Sequence, residues 1–318
     1  MQAATLPTAR TAQADVAAGD ALERGRSVYF ADETVRALSL PGGRTLSYAL
    51  YGASEGPLVV LLDGPGSRGM ARAADAIASR LGIRLVAPDR PGFFASTPGG
   101  ERTIADWPED HTALLDALGA ERAGIMSQSG GTPYALAVAA ALPDRTTGLA
   151  LLGAVAPLHE DVAYSAAGRQ LRVGSKLARR APWLLRAILR SSGRKTAKDP
   201  EKAGAKLART LPPGDEKVLA DPAMMRIHVQ TSAEILTSDA AAIVREIRML
   251  STPWGVDLAK VTAPRAFWTG DCDVTHPVPH ARYLAGRMGD PPVHAVPEAA
   301  TFGLVPHYAD ALKLAAGL

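Results

Sequence analysis

The stretch Met126-Ser127-Gln128-Ser129-Gly130-Gly131-Thr132 leaves its backbone little choice. An apolar run from Ala123 to Met126 leads into it, and an Ala-rich segment of helical spacing leads away to Leu142. Ser127 and Gly131 flank Ser129 with side chains small enough for a turn in which bulkier neighbours would collide. Strand, sharp turn and helix together form the setting of a nucleophile elbow, which exposes its central hydroxyl. A Gly/Ser-rich phosphate-binding turn or an ordinary strand–helix loop is the plainer alternative. On the elbow reading Ser129 is the candidate nucleophile, and Gln128 borders its pocket.

The rest of the chain extends this pattern. Thr34 to Leu40 and Thr45 to Tyr51 bracket Pro41-Gly42-Gly43, a hairpin signal. Leu58 to Leu62 is a short, wholly apolar run, as in a strand covered on both faces. Helical spacing follows over Met70 to Leu81 and Thr103 to Leu118, with strands over Arg84 to Ala87 and Leu149 to Leu152. From Pro157 to about Ser251 only helical patterns are present. Alternation resumes with a strand at Arg265 to Thr269, a helix at Pro279 to Met288, a strand at Val293 to Val296 and a helix at Pro306 to Leu314. Strands alternating with helices predict an α/β fold, a mostly parallel sheet with helices on both faces. The expected division is a weakly ordered N-terminal arm over 1–26, a core over 27–157 and 252–318, and a helical cap over 158–251. Such an insert sits over the strand ends, where open α/β sheets bind ligands.

Bulk composition narrows the function classes. The chain has 318 residues, 47% apolar and 21% charged, with a net charge of +3, as in an ordinary globular protein. Its one cysteine, Cys272, allows no internal disulfide, and no Cys/His cluster has zinc-ligand spacing, so neither metal nor cofactor is expected. No apolar run reaches about 18 residues, so no membrane span is expected. The first 26 residues lack the hydrophobic core of a secretory signal, and the expected location is the cytoplasm. Aromatic residues make up 5%, and no stacking platform for nucleic acid is present.

Asp63-Gly64-Pro65-Gly66-Ser67-Arg68, Ala87-Pro88-Asp89-Arg90-Pro91-Gly92, the elbow, Trp254-Gly255-Val256-Asp257-Leu258 and Gly270-Asp271-Cys272-Asp273 occur in a telling order and spacing. From Thr34 onward the chain resembles the α/β-hydrolase superfamily, in particular bacterial small-molecule hydrolases with a helical cap. The resemblance implies a Ser-acid-His triad in that chain order. Ser129 matches the nucleophile, and Asp273 the acid, with Asp271 as a weaker neighbour and a turn-forming role as the plainer reading. The family's histidine follows the last strand in a Gly-His pair, where this chain has Ala300 and Thr301. A threonine cannot take the serine proton near neutral pH, so the general base is expected to be missing.

The oxyanion loop departs as well. Where the family has His-Gly, this chain has Leu62 and Asp63, followed by Gly64. The N–H groups of Gly64 and Gly130 are the candidate oxyanion donors. A carboxylate on Asp63 beside them either opposes a developing oxyanion, acts as an acid, or turns away onto backbone amides. His276, three residues after Asp273, is the best-placed substitute base. His307 is a more distant one, and His280, His111 and His228 read as packing residues. Phe93, Phe94, Thr301 and Phe302 are expected to line a closed, largely apolar pocket.

Within 166–210, thirteen Lys and Arg residues face only Asp199 and Glu201. A solvated helical face explains this, or an anion-attracting lid for an acidic substrate or an acyl carrier protein. The apolar side of Val173 to Leu189 is expected to roof the pocket or pack on the core.

Three functions follow from the residues. The leading expectation is non-hydrolytic acid–base chemistry such as cyclisation, elimination or isomerisation of an apolar small molecule, using Ser129, Asp63 and His276 or Asp273. The second is a serine esterase or acyl hydrolase whose base is a displaced histidine. The third is a ligand-binding protein without turnover.

Overall fold

The computed structural model describes residues 33–318 apart from 200, 203, 205, 207, 208, 210 and 238; the arm expected over 1–26 lies outside the described residues. Eight strands form one sheet in the order β1-β2-β4-β3-β5-β6-β7-β8. They are β1 (Thr34–Leu40), β2 (Arg44–Gly52), β3 (Leu58–Leu62), β4 (Arg84–Pro88), β5 (Ala123–Ser129), β6 (Thr146–Ala154), β7 (Arg265–Gly270) and β8 (Val293–Val296). Strand β2 runs antiparallel to both neighbours, and every pairing from β4 to β8 is parallel. The continuous apolar run of β3 has the expected cause, because all five residues are buried beneath helices on both sides.

Helices α1 (Gly69–Leu81) and α11 (Tyr308–Ala316) cover one face, burying Met70, Ala74, Tyr308 and Leu312 against Val59, Leu61, Met126 and Leu152. Helices α2 (Trp107–Ala117), α3 (Thr132–Ala141) and α10 (Val278–Ala285) cover the other, where Trp107, Leu114, Val138 and Leu284 pack with Val60, Ile125, Leu149 and Phe267. Gly82 ends α1 in the left-handed conformation, its N–H returned to the carbonyls of Ala78 and Ser79.

Between β6 and β7 the described residues contain helices and no strand. They include α4 (Asp161–Ala166), α5 (Arg169–Arg180), α6 (Pro182–Lys198), α7 (Pro213–Leu219), α8 (Pro222–Thr237) and α9 (Ala240–Leu250). Buried ion pairs fasten this helical layer to the sheet. Arg90, just after β4, holds Glu246 of α9 through Nε at 2.6 Å and Nη2 at 2.9 Å. Arg72 of α1 holds Glu234 of α8 at 2.6 Å and donates to the Thr231 hydroxyl at 3.0 Å.

Candidate active site

Strand β5 ends where its pairing with β6 slips, between Gln128 and Ser129. Ser129 has φ +53°, the left-handed region that a side chain enters only when its surroundings demand it. The next turn explains the demand for small residues. A Cβ on Gly131 would lie 1.8 Å from the carbonyl oxygen of Leu62, so α3 can start directly behind β3 only with glycine there. Ser127 is fully buried in the strand, and Ser129 projects from the tip into a cavity.

The loop after β7 carries both an acid and an imidazole. Asp273 Oδ1 accepts the backbone N–H groups of Thr275 and His276, each at 2.8 Å. That turn curls the chain back on itself and brings the His276 ring over Ser129. His276 Nδ1 lies 3.0 Å from Asp273 Oδ2, and Nε2 lies 2.8 Å from Ser129 Oγ. With Nδ1–H donating to the carboxylate, Nε2 keeps its lone pair for the serine proton. The ring leans on Gly153, where β6 ends. Burial works against charge on Asp273, but the His276 ring and the Thr275 and His276 amides outweigh it and hold the carboxyl well below the ordinary carboxylate range.

The expectation of a missing base therefore needs correction: an imidazole occupies the bonding position, supplied from the acid's own loop. Thr301, in the place where the resemblance puts histidine, donates its hydroxyl to Asp273 Oδ2 at 3.1 Å. His280 is buried and hydrogen-bonds the Ala163 carbonyl at 2.8 Å, tying α10 to α4. His307 is not among the residues that line the cavity.

Asp63 bonds backbone amides, as one of the arrangements foreseen for it has it, but it still lines the cavity. Its Oδ1 accepts the Gly64 N–H at 2.6 Å, and its Oδ2 accepts the Ser67 hydroxyl at 2.7 Å and the Met70 N–H at 2.9 Å, at the start of α1. The Gly64 N–H is thus engaged by a carboxylate rather than open to a substrate oxygen, which corrects its place as an oxyanion donor. A Cβ on Gly64 would sit 3.9 Å from Ser129 Oγ, so this residue lies beside the serine hydroxyl. Among the described residues the Gly130 N–H has no partner. Arg90 fixes this loop from behind, donating to the carbonyls of Asp63 at 2.8 Å and Gly64 at 3.0 Å.

The cavity above Ser129 measures about 250 Å³ and is lined by Asp63, Gly64, Gln128, Ser129, His276, Thr301 and Phe302 among others. Gln128 accepts the Tyr308 hydroxyl at 3.0 Å, which turns its amide from the serine toward α11. The roof consists of α7 and α8, through Val218, Leu219, Met224, Ile227, His228, Thr231, Ser232 and Ile235. It is not the stretch 173–189: Leu185 and Leu189 pack against α9, while Val173, Trp183, Leu184 and Ile188 of the same stretch are exposed. Phe93 and Phe94 also lie outside the cavity lining: Phe93 is buried with Ala242 and Ile243, and Phe94 stacks under the Arg68 guanidinium at 4.1 Å.

Sequence reasoning took His228 for a packing residue, although it lines the cavity, and missed Asp215. His228 enters the roof edge-on to Phe302, with ring centroids 4.5 Å apart, and burial pushes its pKa down to about 4. Asp215 of α7 is buried and accepts the N–H groups of Ala300, Phe302 and Gly303 at 2.7–3.0 Å. Its only signal was the position of an acid in the first turn after Pro212-Pro213-Gly214.

Comparison with known proteins agrees with the fold. The family model described as alpha/beta hydrolase fold matches residues 57–221. This chain belongs to that family. A curated relative, 2-hydroxymuconate semialdehyde hydrolase from Pseudomonas putida, is 34% identical over 110 residues. The match covers 33% of this chain and 39% of that relative's length. An alpha/beta hydrolase fold protein from Nakamurella multipartita superposes with a TM-score of 0.65 at 23% identity, over 90% of this chain and 100% of its own. The enol-lactonase from Burkholderia xenovorans LB400 gives 0.59 at 19% identity, over 87% and 96%. At such identities the solved structures show the shared fold alone.

Proposed function

We propose that this chain is a serine hydrolase of small, mostly apolar acyl compounds, with Ser129 as nucleophile, His276 as general base and Asp273 as the group that orients and charges the imidazole. The observation that carries the reading is the single ring bridging Ser129 Oγ and Asp273 Oδ2 at 2.8 and 3.0 Å. Ser129 attacks the carbonyl carbon as its proton passes to His276 Nε2. The resulting imidazolium is stabilised by Asp273, whose carboxylate stays ionised at any working pH. The oxyanion meets the Gly130 N–H. His276 then returns its proton to the leaving group, and water releases the acyl group by the same steps in reverse roles. The helices over 158–251 form the lid, and their apolar side chains on α7 and α8 support a preference for hydrocarbon-rich acyl groups. The hydrolase names of the relatives accord with this class and do not choose the substrate.

A fluorophosphonate probe tests the reading. Labelling is expected at Ser129, to vanish in Ser129→Ala, and to slow by about 10³-fold or more in His276→Ala, as for loss of a triad base. Unimpeded labelling of His276→Ala would remove the imidazole from the mechanism.

One observation favours the second reading, non-hydrolytic acid–base chemistry. Asp63 occupies the Gly64 N–H, leaving one amide where acyl transfer ordinarily uses two. On that reading a cognate metabolite is converted without incorporation of oxygen from ¹⁸O-labelled water, and Asp63→Asn abolishes the conversion.

A further inference from the structure

Helix α6 divides its apolar residues between two sides. At 100° per residue, Leu185, Leu189 and Thr196 fall on one arc, which faces the protein. Trp183, Leu184, Ala187 and Ile188 fall on the opposite arc and are exposed, Trp183 at 71% and Ile188 at 47%. Two turns further on, that outward arc continues as Arg194, Lys195 and Lys198, also exposed. Val173 of α5 adds another exposed apolar side chain, at 49%. Together α5 and α6 carry ten Lys and Arg residues and no Asp or Glu. Among the described residues none of the ten is in an ion pair. An exposed tryptophan within an aliphatic patch, continued by unpaired cations on the same face, has no function inside this fold.

We infer that the outer face of α6 seats the protein on an anionic lipid surface. Trp183, Leu184 and Ile188 would enter the boundary between headgroups and acyl chains, with the helix lying in the plane. Arg194, Lys195, Lys198 and the α5 cations would meet lipid phosphates. The chemistry fits on both counts: a Trp with aliphatic neighbours suits the membrane interface, and a polybasic face gains attraction from each cation near a negative leaflet. Snorkelling Lys and Arg stems extend the apolar contact. This is surface attachment, since no helix among the described residues is long and apolar enough to cross a membrane. An acidic protein is the competing occupant, and vesicle binding separates the two; an apolar patch continued by cations on one face matches the acyl boundary and phosphates of an anionic bilayer.

The other three tryptophans, Trp107, Trp254 and Trp268, are buried, so a shift of emission that appears on adding vesicles and is lost in Trp183→Phe reports on Trp183. The full chain is mixed with phosphatidylcholine vesicles, with and without phosphatidylglycerol, at low and high salt. Expected are co-sedimentation and a blue shift of emission with the anionic vesicles only, both reduced by high salt. Leu184→Ser/Ile188→Ser and Arg194→Glu/Lys195→Glu are each expected to weaken partitioning by at least ~10-fold, while hydrolysis of a water-soluble ester is unchanged. Failure to sediment with anionic vesicles at low salt would overturn the inference. So would sedimentation without a shift in emission, undiminished binding of the charge-reversed variant, or capture by an acidic acyl carrier protein in place of vesicles. Vesicle binding is read without turnover, so its outcome is separate from that of the hydrolase reading.

Discussion

Asp273 Oδ2 accepts hydrogen bonds from two side chains that reach it from different parts of the chain, His276 and Thr301. Position 301 is therefore close enough to hold a base of its own. In His276→Ala we expect ester turnover to fall by about 10⁴-fold. Adding Thr301→His to that variant should recover at least ~10-fold of the loss, because an imidazole there can still be oriented by the same carboxylate. No recovery in steady-state kinetics would mean that the loop after β8 cannot aim a ring at Ser129. Asp63 supplies a second test. Asp63→Asn keeps an oxygen for the Ser67 hydroxyl and Met70 N–H while removing the charge beside the developing oxyanion. Turnover of an activated ester should rise by roughly 10-fold, a part of what one oxyanion donor is worth. A fall instead would assign the carboxyl a part in the chemistry. At this scale the sequence was legible where local backbone demands fixed the residue type, as at Ser129 and Gly131. His276 was visible only as one candidate among several. Its position depends on two amides folding back onto Asp273, and an Asp followed three residues later by His was the one available sign of that turn.

Short contacts between elements far apart in the chain decide the shape of the pocket. Asp215 on α7 gathers three amides from the segment after β8, and Gly214 donates to the Glu298 carbonyl at 2.8 Å. Asp215→Ala would leave those amides facing a cavity without an acceptor. We expect a loss of about 2–4 kcal/mol, read as a lowered melting temperature, and a reduced kcat as Thr301 and Phe302 lose their anchor. A melting temperature within error of the parent would show that water replaces the carboxylate at no cost. Strand β3 was legible because burial on both faces imposes a continuous apolar run, and the part-exposed edge strands β1 and β8 also have the bounds their sequences predict. The roof was not. Helices α5 to α8 all have apolar stripes, and periodicity says that a helix has a buried side without saying what lies beneath it. The buried side of α6 faces α8 and α9, and the cavity belongs to α7 and α8.

Taken whole, the molecule holds three histidines, His111, His228 and His280, whose protonation burial disfavours. Burial, with help from the Arg145 charge, pushes His111 down to about 3, and burial pushes His228 down to about 4, against an ordinary value of 6.5. An unfolded histidine binds its proton near 6.5, so between that pH and about 4 the unfolded chain takes up more protons than the folded one. The stability contribution is complete above about pH 6.5 and is lost as the pH falls toward 4. Melting temperature should thus fall between about pH 7 and about pH 4.5, with a gentler slope in His111→Leu than in the parent. Equal slopes would show that carboxylates dominate acid unfolding. The same scale explains why composition alone said little about partners: a net charge of +3 conceals a helical pair with ten cations and no acid.

The acid and the imidazole lie three residues apart, within one turn. On the serine-hydrolase reading, two loops rather than three have to stay in register for a proton to move. The segment behind the last strand is freed from that duty, and its Thr301 and Phe302 instead shape the chamber. A lineage wired in this way can vary that segment to suit new acyl groups and keep its proton relay whole.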